Sequence, residues 1–437
     1  MTLAPHPATV KRALSAHAAI GLLAGALLYI VCLSGTLLVF YEEWQRFEQA
    51  TPPQMTAIDP DAVQRGMEAL LATERGKPPT THFYVDMPLA ELPTTRVITD
   101  TQSMHLDAQG RLVGPEQIEW ANFLYGLHYT LNIPVAQGLV GITLVGLLGV
   151  LMIALALSGL IAHPKIFRDA FRLRTRHRGG VALSDWHNRL SVWTLPFSLA
   201  IAVTGAVIGL STVTAAALAE RYYGGDVEAL YATMFGEEGE PDPAPAQLPD
   251  VATALRYMAA NHPDVRLTYV TVHEPGTAGQ HVQIVAEHPR RLIFGEYYLF
   301  DSAGRFEGTA GLADGALGQQ AAASNYDLHF GNYGGLPVKI AYALLGLALT
   351  AVCATGTFIW LGKRRRRGFD EPRLRAAWHA VVWGAPAALA VTLVVRLTAG
   401  NGAPFAALFW GLLALAVAAT VLARGRPQSA QELLPAP

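Results

Sequence analysis

Five histidines stand where an apolar chain has little reason to keep them: His17, His128, His163, His187 and His329. Each lies at or beside a run of apolar residues long enough to cross a membrane, and ionisable side chains in such places are rare and functional. Neutral imidazole ligates transition metals and haem iron. His128 lies in "FLYGLHYTLNIP" and His329 in "NYDLHFGNYGGLP", each just ahead of an apolar run and among the aromatics Tyr125, Tyr129, Phe330 and Tyr333. His17, His163 and His187 mark the opposite ends of such runs. Small residues recur at matching distances: Gly35 follows His17 by 18 residues and Gly205 follows His187 by 18, while Gly159 and Gly356 each close a run, in "LSGLIAH" and "ATGTFIW". At 1.5 Å per residue, Gly35 and Gly205 sit roughly 27 Å from those histidines, at the far end of a membrane-length helix. Histidine pairs on facing helices, with glycine beside them, describe two haem sites. One pair is His17 with His187, for which His163 is an alternative ligand; the other is His128 with His329. Glycine at a helix crossing also serves simply to let helices approach closely.

The elements that hold these residues follow from composition. The 437 residues are 51% hydrophobic and 15% charged, with mean hydropathy +0.28, too apolar for a soluble chain of this size. A bilayer core needs about 20 apolar residues in a helix, and six segments qualify: 17–41, 136–163, 190–211, 337–362, 376–397 and 404–423. The first is too long for a cleaved signal and is read as a retained span. The short loops "HPKIFRDAFRLRTRHR" and "KRRRRGFDEPRLR" are strongly basic, which places them and both termini in the cytoplasm. The long segments 42–135 and 212–336 then lie outside. Two cysteines, Cys32 and Cys353, sit inside apolar spans; that excludes a four-cysteine iron–sulfur site and reads as packing. A net charge of −2 gives no reason to expect a nucleic-acid partner.

The chain repeats itself. "HLDAQGRLVG" (105–114) and "LFDSAGRFEG" (299–308) share Asp-x-x-Gly-Arg-x-x-Gly, a strand, a tight glycine turn and a second strand. Helical spacing precedes each, at 59–73 and 248–264, and the second copy adds strands at 266–274 and 280–287. The unit of span, module, span occurs at 11–163 and 184–362. The predicted architecture is an α-helical polytopic membrane protein: a pseudo-two-fold four-helix haem-binding core plus an extra helical hairpin, with two periplasmic α+β modules. The divisions are span 11–41, module 42–135, span 136–163, cytoplasmic loop 164–189, span 190–211, module 212–336, span 337–362, basic loop 363–375, and spans 376–397 and 404–423. Residues 237–250 read as a linker. His105, His262, His273, His281 and His288 fall in the outer modules and are expected to be solvated or substrate-facing. Arg189, Arg290, Arg291 and the cytoplasmic arginines are candidate contacts for haem propionates, with topology or solvation as the default explanation.

Four strings carry a resemblance: "LSAHAAIGLLAGALLYIVCLSGTLLVF", "SGLIAHPKIFRDAFRLRTRHR", "LSDWHNRLSVWTLPFSLAIAVTGAV" and "TGTFIWLGKRRRR". Through them, over about 11–400, the chain resembles the PepSY-associated transmembrane family of bacterial inner-membrane proteins. The family includes ferric-siderophore reductases, in which a di-haem core passes electrons outward. The resemblance implies two b-type haems, axial positions at His17, His163, His187, His128 and His329, PepSY-like outer modules, a cytoplasmic or membrane electron donor, and a ferric siderophore or other ferric chelate as periplasmic acceptor. The alternatives are a haem-free periplasmic binding or regulatory platform, and a haem electron carrier serving another periplasmic acceptor.

Overall fold

The computed structural model describes residues 5–171, 181–235, 242–289 and 291–423. Arg172, Arg174, Arg176 and Arg178 of the first basic loop, residues 237–241 of the proposed linker, and Arg290 lie outside these. In chain order the elements are α1 (Pro7–Leu38), α2 (Tyr41–Glu48), α3 (Pro60–Thr73), β1 (His82–Asp86), β2 (Thr95–Ile98), β3 (Ser103–Leu106), β4 (Leu112–Pro115), α4 (Glu119–Tyr129), α5 (Leu139–Ala162), α6 (Ile166–Asp169), α7 (Val181–Trp193), α8 (Leu195–Tyr222), α9 (Val227–Phe235), α10 (Val251–Asn261), β5 (Arg266–His273), β6 (His281–Glu287), β7 (Glu296–Phe300), β8 (Phe306–Thr309), α11 (Leu317–Phe330), α12 (Gly335–Arg366), α13 (Pro372–Ala399) and α14 (Phe405–Ala423). Among the described residues, six helices are long and apolar enough to cross a membrane: α1, α5 with its leading turn, α8, α12, α13 and α14. Two compact units result, one helical (up to Val39, Asn122–Leu210, and from Leu336 on) and one built on a sheet (Phe40–Ala121 and Ser211–Gly335).

Within the helical unit, glycines set the crossings. A Cβ on Gly209 of α8 would lie 2.5 Å from the Gly146 Cα of α5, so the two backbones touch there. α7 ends at Trp193 because Pro196 has no N–H for the carbonyl of Val192. The α13–α14 hairpin is docked by directed hydrogen bonds. Tyr29 Oη of α1 donates to the Val382 carbonyl at 2.8 Å, Trp378 Nε1 to the Ala354 carbonyl of α12 at 3.0 Å, and Trp410 Nε1 to the Leu131 carbonyl at 3.1 Å.

In the sheet unit the repeat is legible residue by residue. Asp59 caps α3 by accepting from the Asp61 amide at 2.9 Å, and Asp250 caps α10 by accepting from Thr253 at 2.8 Å. In the first hairpin the Asp107 carboxylate accepts from the Gln109 and Arg111 amides (3.0 and 2.9 Å) and from Arg111 Nε (2.7 Å). Asp301 receives the same bonds from Ala303 and Arg305 at 3.0, 2.9 and 2.7 Å. Gly110 (φ +79°) and Gly304 (φ +72°) take the left-handed turn, and a Cβ on either would strike a helix-start carbonyl, Ala62 O at 2.0 Å or Asp250 O at 2.6 Å. The Asp-x-x-Gly-Arg string therefore docks a tight turn onto its own helix.

The two outer modules expected from the sequence are not separate. They share one antiparallel sheet of eight strands, ordered β4-β3-β2-β1-β5-β6-β7-β8, joined where β1 pairs with β5 about Tyr84↔Thr271. Val63, Met67 and Leu70 of α3 and Val251, Leu255 and Met258 of α10 enter a single core with Phe83, Val85, Val272, Ile284 and Phe300. A four-stranded meander exposes its first strand, and pairing the two first strands removes both open edges at once.

Candidate functional site

His17 and His187 meet inside the helical unit, their ring centres 6.4 Å apart and their planes at 84°. Each is held by the small-residue pair that closes its own repeat. His17 Nδ1 lies 3.0 Å from the Leu155 carbonyl and 3.2 Å from Ser158 Oγ, and a Cβ on Gly159 would lie 3.3 Å from the ring. His187 Nδ1 lies 3.0 Å from Thr355 Oγ1, with Gly356 beside the ring, where a Cβ would stand at 3.5 Å.

These bonds decide the tautomers. A carbonyl can only accept, so His17 Nδ1 carries the proton. Thr355 Oγ1 donates its own hydrogen to the Ala351 carbonyl at 2.7 Å, so it accepts from His187 Nδ1. The lone pair of each ring is left on Nε2, the arrangement second-shell bonds impose on a metal-ligating histidine. His128 follows the same rule: its Nδ1 donates to the Val31 carbonyl at 2.9 Å, and the ring lies against Gly35, where a Cβ would stand 2.6 Å from Cε1.

The sequence placed His128 at the mouth of a span; it sits instead on a helix of its own, α4. The turn between α4 and α5 holds Leu131, Asn132, Ala136 and Gln137 at positive φ, a costly conformation for non-glycine residues. Two anchors hold it: Asn132 Nδ2 donates to the Phe123 carbonyl at 3.1 Å, and Trp410 bonds the Leu131 carbonyl. Phe123 packs on Phe405 and Phe409 of α14 at 6.2 and 5.9 Å. The hairpin thus braces the helix that carries His128, a role no motif announced.

His163 is the C-cap of α5, its amide bonded to the Gly159 carbonyl at 3.1 Å. His329 belongs to the sheet unit, on the last turn of α11, with its ring 5.7 Å from that of Phe330. Gly205 lies within α8. Arg189, on α7 two residues after His187, is 3% exposed with Nε and Nη2 lacking hydrogen-bond partners. A buried guanidinium in that condition is costly until an anion joins it. Sequence gave no hint of this burial.

The donor set fits a haem. Imidazole–metal bonds run about 2.0–2.1 Å and a ring nitrogen lies about 1.2 Å from its ring centre, so two imidazoles on opposite sides of one ion have centres about 6.4–6.6 Å apart. Among the described residues no three His, Cys, Asp or Glu side chains form an all-protein metal site. A two-imidazole pair suits a macrocycle that brings its own four nitrogens.

Six helices among the described residues, long and apolar enough to cross a membrane, define a polytopic membrane protein. The match to a family is specific: residues 14–363 fit the PepSY-associated TM region, and the chain belongs to that family. The match ends where α12 does, short of the 11–400 expected from the sequence, leaving α13 and α14 outside it. An uncharacterized Pseudomonas aeruginosa protein, PA4219, is 28% identical over 269 residues, 58% of this chain; the alignment covers 66% of that relative's length.

Proposed function

We propose that the protein is an inner-membrane di-haem oxidoreductase that carries electrons from the cytoplasmic side to a periplasmic acceptor, and that the acceptor is a ferric siderophore. His17 and His187 hold the inner haem b, and His128 serves the outer one. The single observation that carries this is the pairing of His17 with His187 at 6.4 Å, both rings in the Nδ1–H tautomer. Haem supplies one-electron transfer when bound. The chain's own work is to fix each ring by its Nδ1 bond, keep the flanks narrow with Gly35, Gly159 and Gly356, and offer the Arg189 guanidinium to a propionate. With the basic loops on the cytoplasmic side, as the positive-inside rule favours, the sheet unit faces the periplasm in this proposal. There a hard-oxygen ferric chelate loses affinity on reduction to Fe(II), which releases the iron.

The test is optical. Purified protein reduced with dithionite is mixed with a panel of ferric chelates in a stopped-flow cell. Reoxidation accelerated by hydroxamate or catecholate chelates supports the reading; haem reoxidised at the same rate with and without every chelate points to a carrier for another acceptor. Colourless protein after expression with ample haem supports the haem-free platform instead.

A further inference from the structure

The face of the sheet turned away from the hydrophobic core carries groups the haem reading does not use. Strand alternation sends Phe83, Val272 and Val282 into the core, and therefore His82 of β1, His273 of β5 and His281 of β6 to the other face. The three are direct cross-strand neighbours, His82↔His273 and His273↔His281. Their ring centres are 4.9 Å apart at 74° and 4.3 Å apart at 10°.

His82 is oriented as a ligand. Its Nδ1 lies 3.1 Å from Thr81 Oγ1, which donates its own hydrogen to Asp100 Oδ2 at 3.0 Å. Thr81 therefore accepts, His82 Nδ1 carries the proton, and Nε2 keeps its lone pair, with a carboxylate behind the relay. Both ring nitrogens of His281 are buried without a hydrogen-bond partner, an unmet demand that is costly for a buried polar group.

We propose that His82, His273 and His281 bind a divalent late first-row transition ion, such as Zn(II), independently of any haem. Two imidazoles on adjacent corners of one ion at about 2.0–2.1 Å have ring centres about 4.6–5.3 Å apart, and His82 and His273 already have that spacing. His281 stacks flat on His273, so no three groups yet converge among the described residues; binding turns its ring out of the stack to supply the third ligand. Imidazole donors select this class of ion over Mg(II) and Ca(II). Thr81 is a positioning residue.

The test is calorimetric titration of the full-length, chelator-treated protein with Zn(II), followed by the optical spectrum with Co(II). The expected result is one ion whose affinity falls at least tenfold in His82→Ala and in His281→Ala, and about tenfold in Thr81→Ala, which leaves every imidazole in place. Intense visible Co(II) bands of a four-coordinate site accompany it. Isotherms that coincide for the wild type and the His82→Ala/His281→Ala double variant overturn the proposal, as does a Co(II) spectrum indistinguishable from the aqueous ion. Haem content in the same samples is unchanged under the proposal, so its failure is separable from failure of the haem reading.

Discussion

The helical unit and the sheet unit are built from the same duplicated segment, yet they use glycine for opposite ends. In the sheet, Gly110 and Gly304 adopt positive φ and let a turn press onto a helix start. In the helices, Gly35, Gly159 and Gly356 have ordinary helical backbone and clear the flank of an imidazole. The first use serves stability and the second serves a site. Repetition thus preserves a turn in one half and, under the proposed function, a haem flank in the other, and the same substitution should report differently in each.

The largest effect falls on the sheet. Gly110→Val or Gly304→Val combines backbone strain of about 1–2 kcal/mol with overpacking of about 1–3 kcal/mol against a carbonyl that cannot retreat. Denaturant unfolding of the sheet signal should shift by roughly that sum, while haem absorbance per folded molecule stays constant. Next, Gly35→Ala sets a methyl 2.6 Å from the His128 ring. Under the di-haem proposal, one of two haems should be lost or spectrally altered, with an overpacking cost of about 1–3 kcal/mol offset in part by the Gly–Ala helix preference of about 1 kcal/mol. A Gly35→Ala protein that unfolds early with both haems intact would erase the distinction between the two uses.

A smaller effect tests the hairpin. Trp410→Phe removes the bond to the Leu131 carbonyl, worth about 1 kcal/mol, and should broaden the signal of the haem at His128 without touching the other. The smallest concerns acidity in the sheet unit. Burial, and then the Arg96 charge, lower His105 from its ordinary 6.5 to about 4. The unfolded chain binds this proton first, so stability is complete above about pH 6.5 and declines as pH falls toward 4. His105→Gln should flatten the thermal-melting profile across that window.

Much of this was legible in the sequence, for a physical reason: apolar length, and short strings whose members sit within one turn of each other. The Asp-x-x-Gly-Arg hairpins and the capped helices are of that kind, while the placing of Gly159 and Gly356 near the histidine end of the spans follows from apolar length and helix rise. What was hidden depends on contacts between distant segments. The β1–β5 seam joins residues nearly 200 positions apart, and short strands such as β1 and β2 carry little periodic signal. α4 was masked by its own apolar composition, and the sequence reading left His128 in the outer module, just ahead of the span, whereas the structure groups it with the helical unit. The burial of Arg189 and the row of His82, His273 and His281 likewise follow from folding rather than spacing.

The central claim is that His17 and His187 share one iron while His128 serves another. It is tested most directly by the haem-to-protein ratio, measured by pyridine haemochrome on wild type, His17→Ala, His187→Ala and the His17→Ala/His187→Ala double variant. The account predicts two haems in the wild type and one in each of the three variants, because both histidines act on the same site. A double variant that retains two haems, or single variants that each lose one while the double loses both, would contradict it.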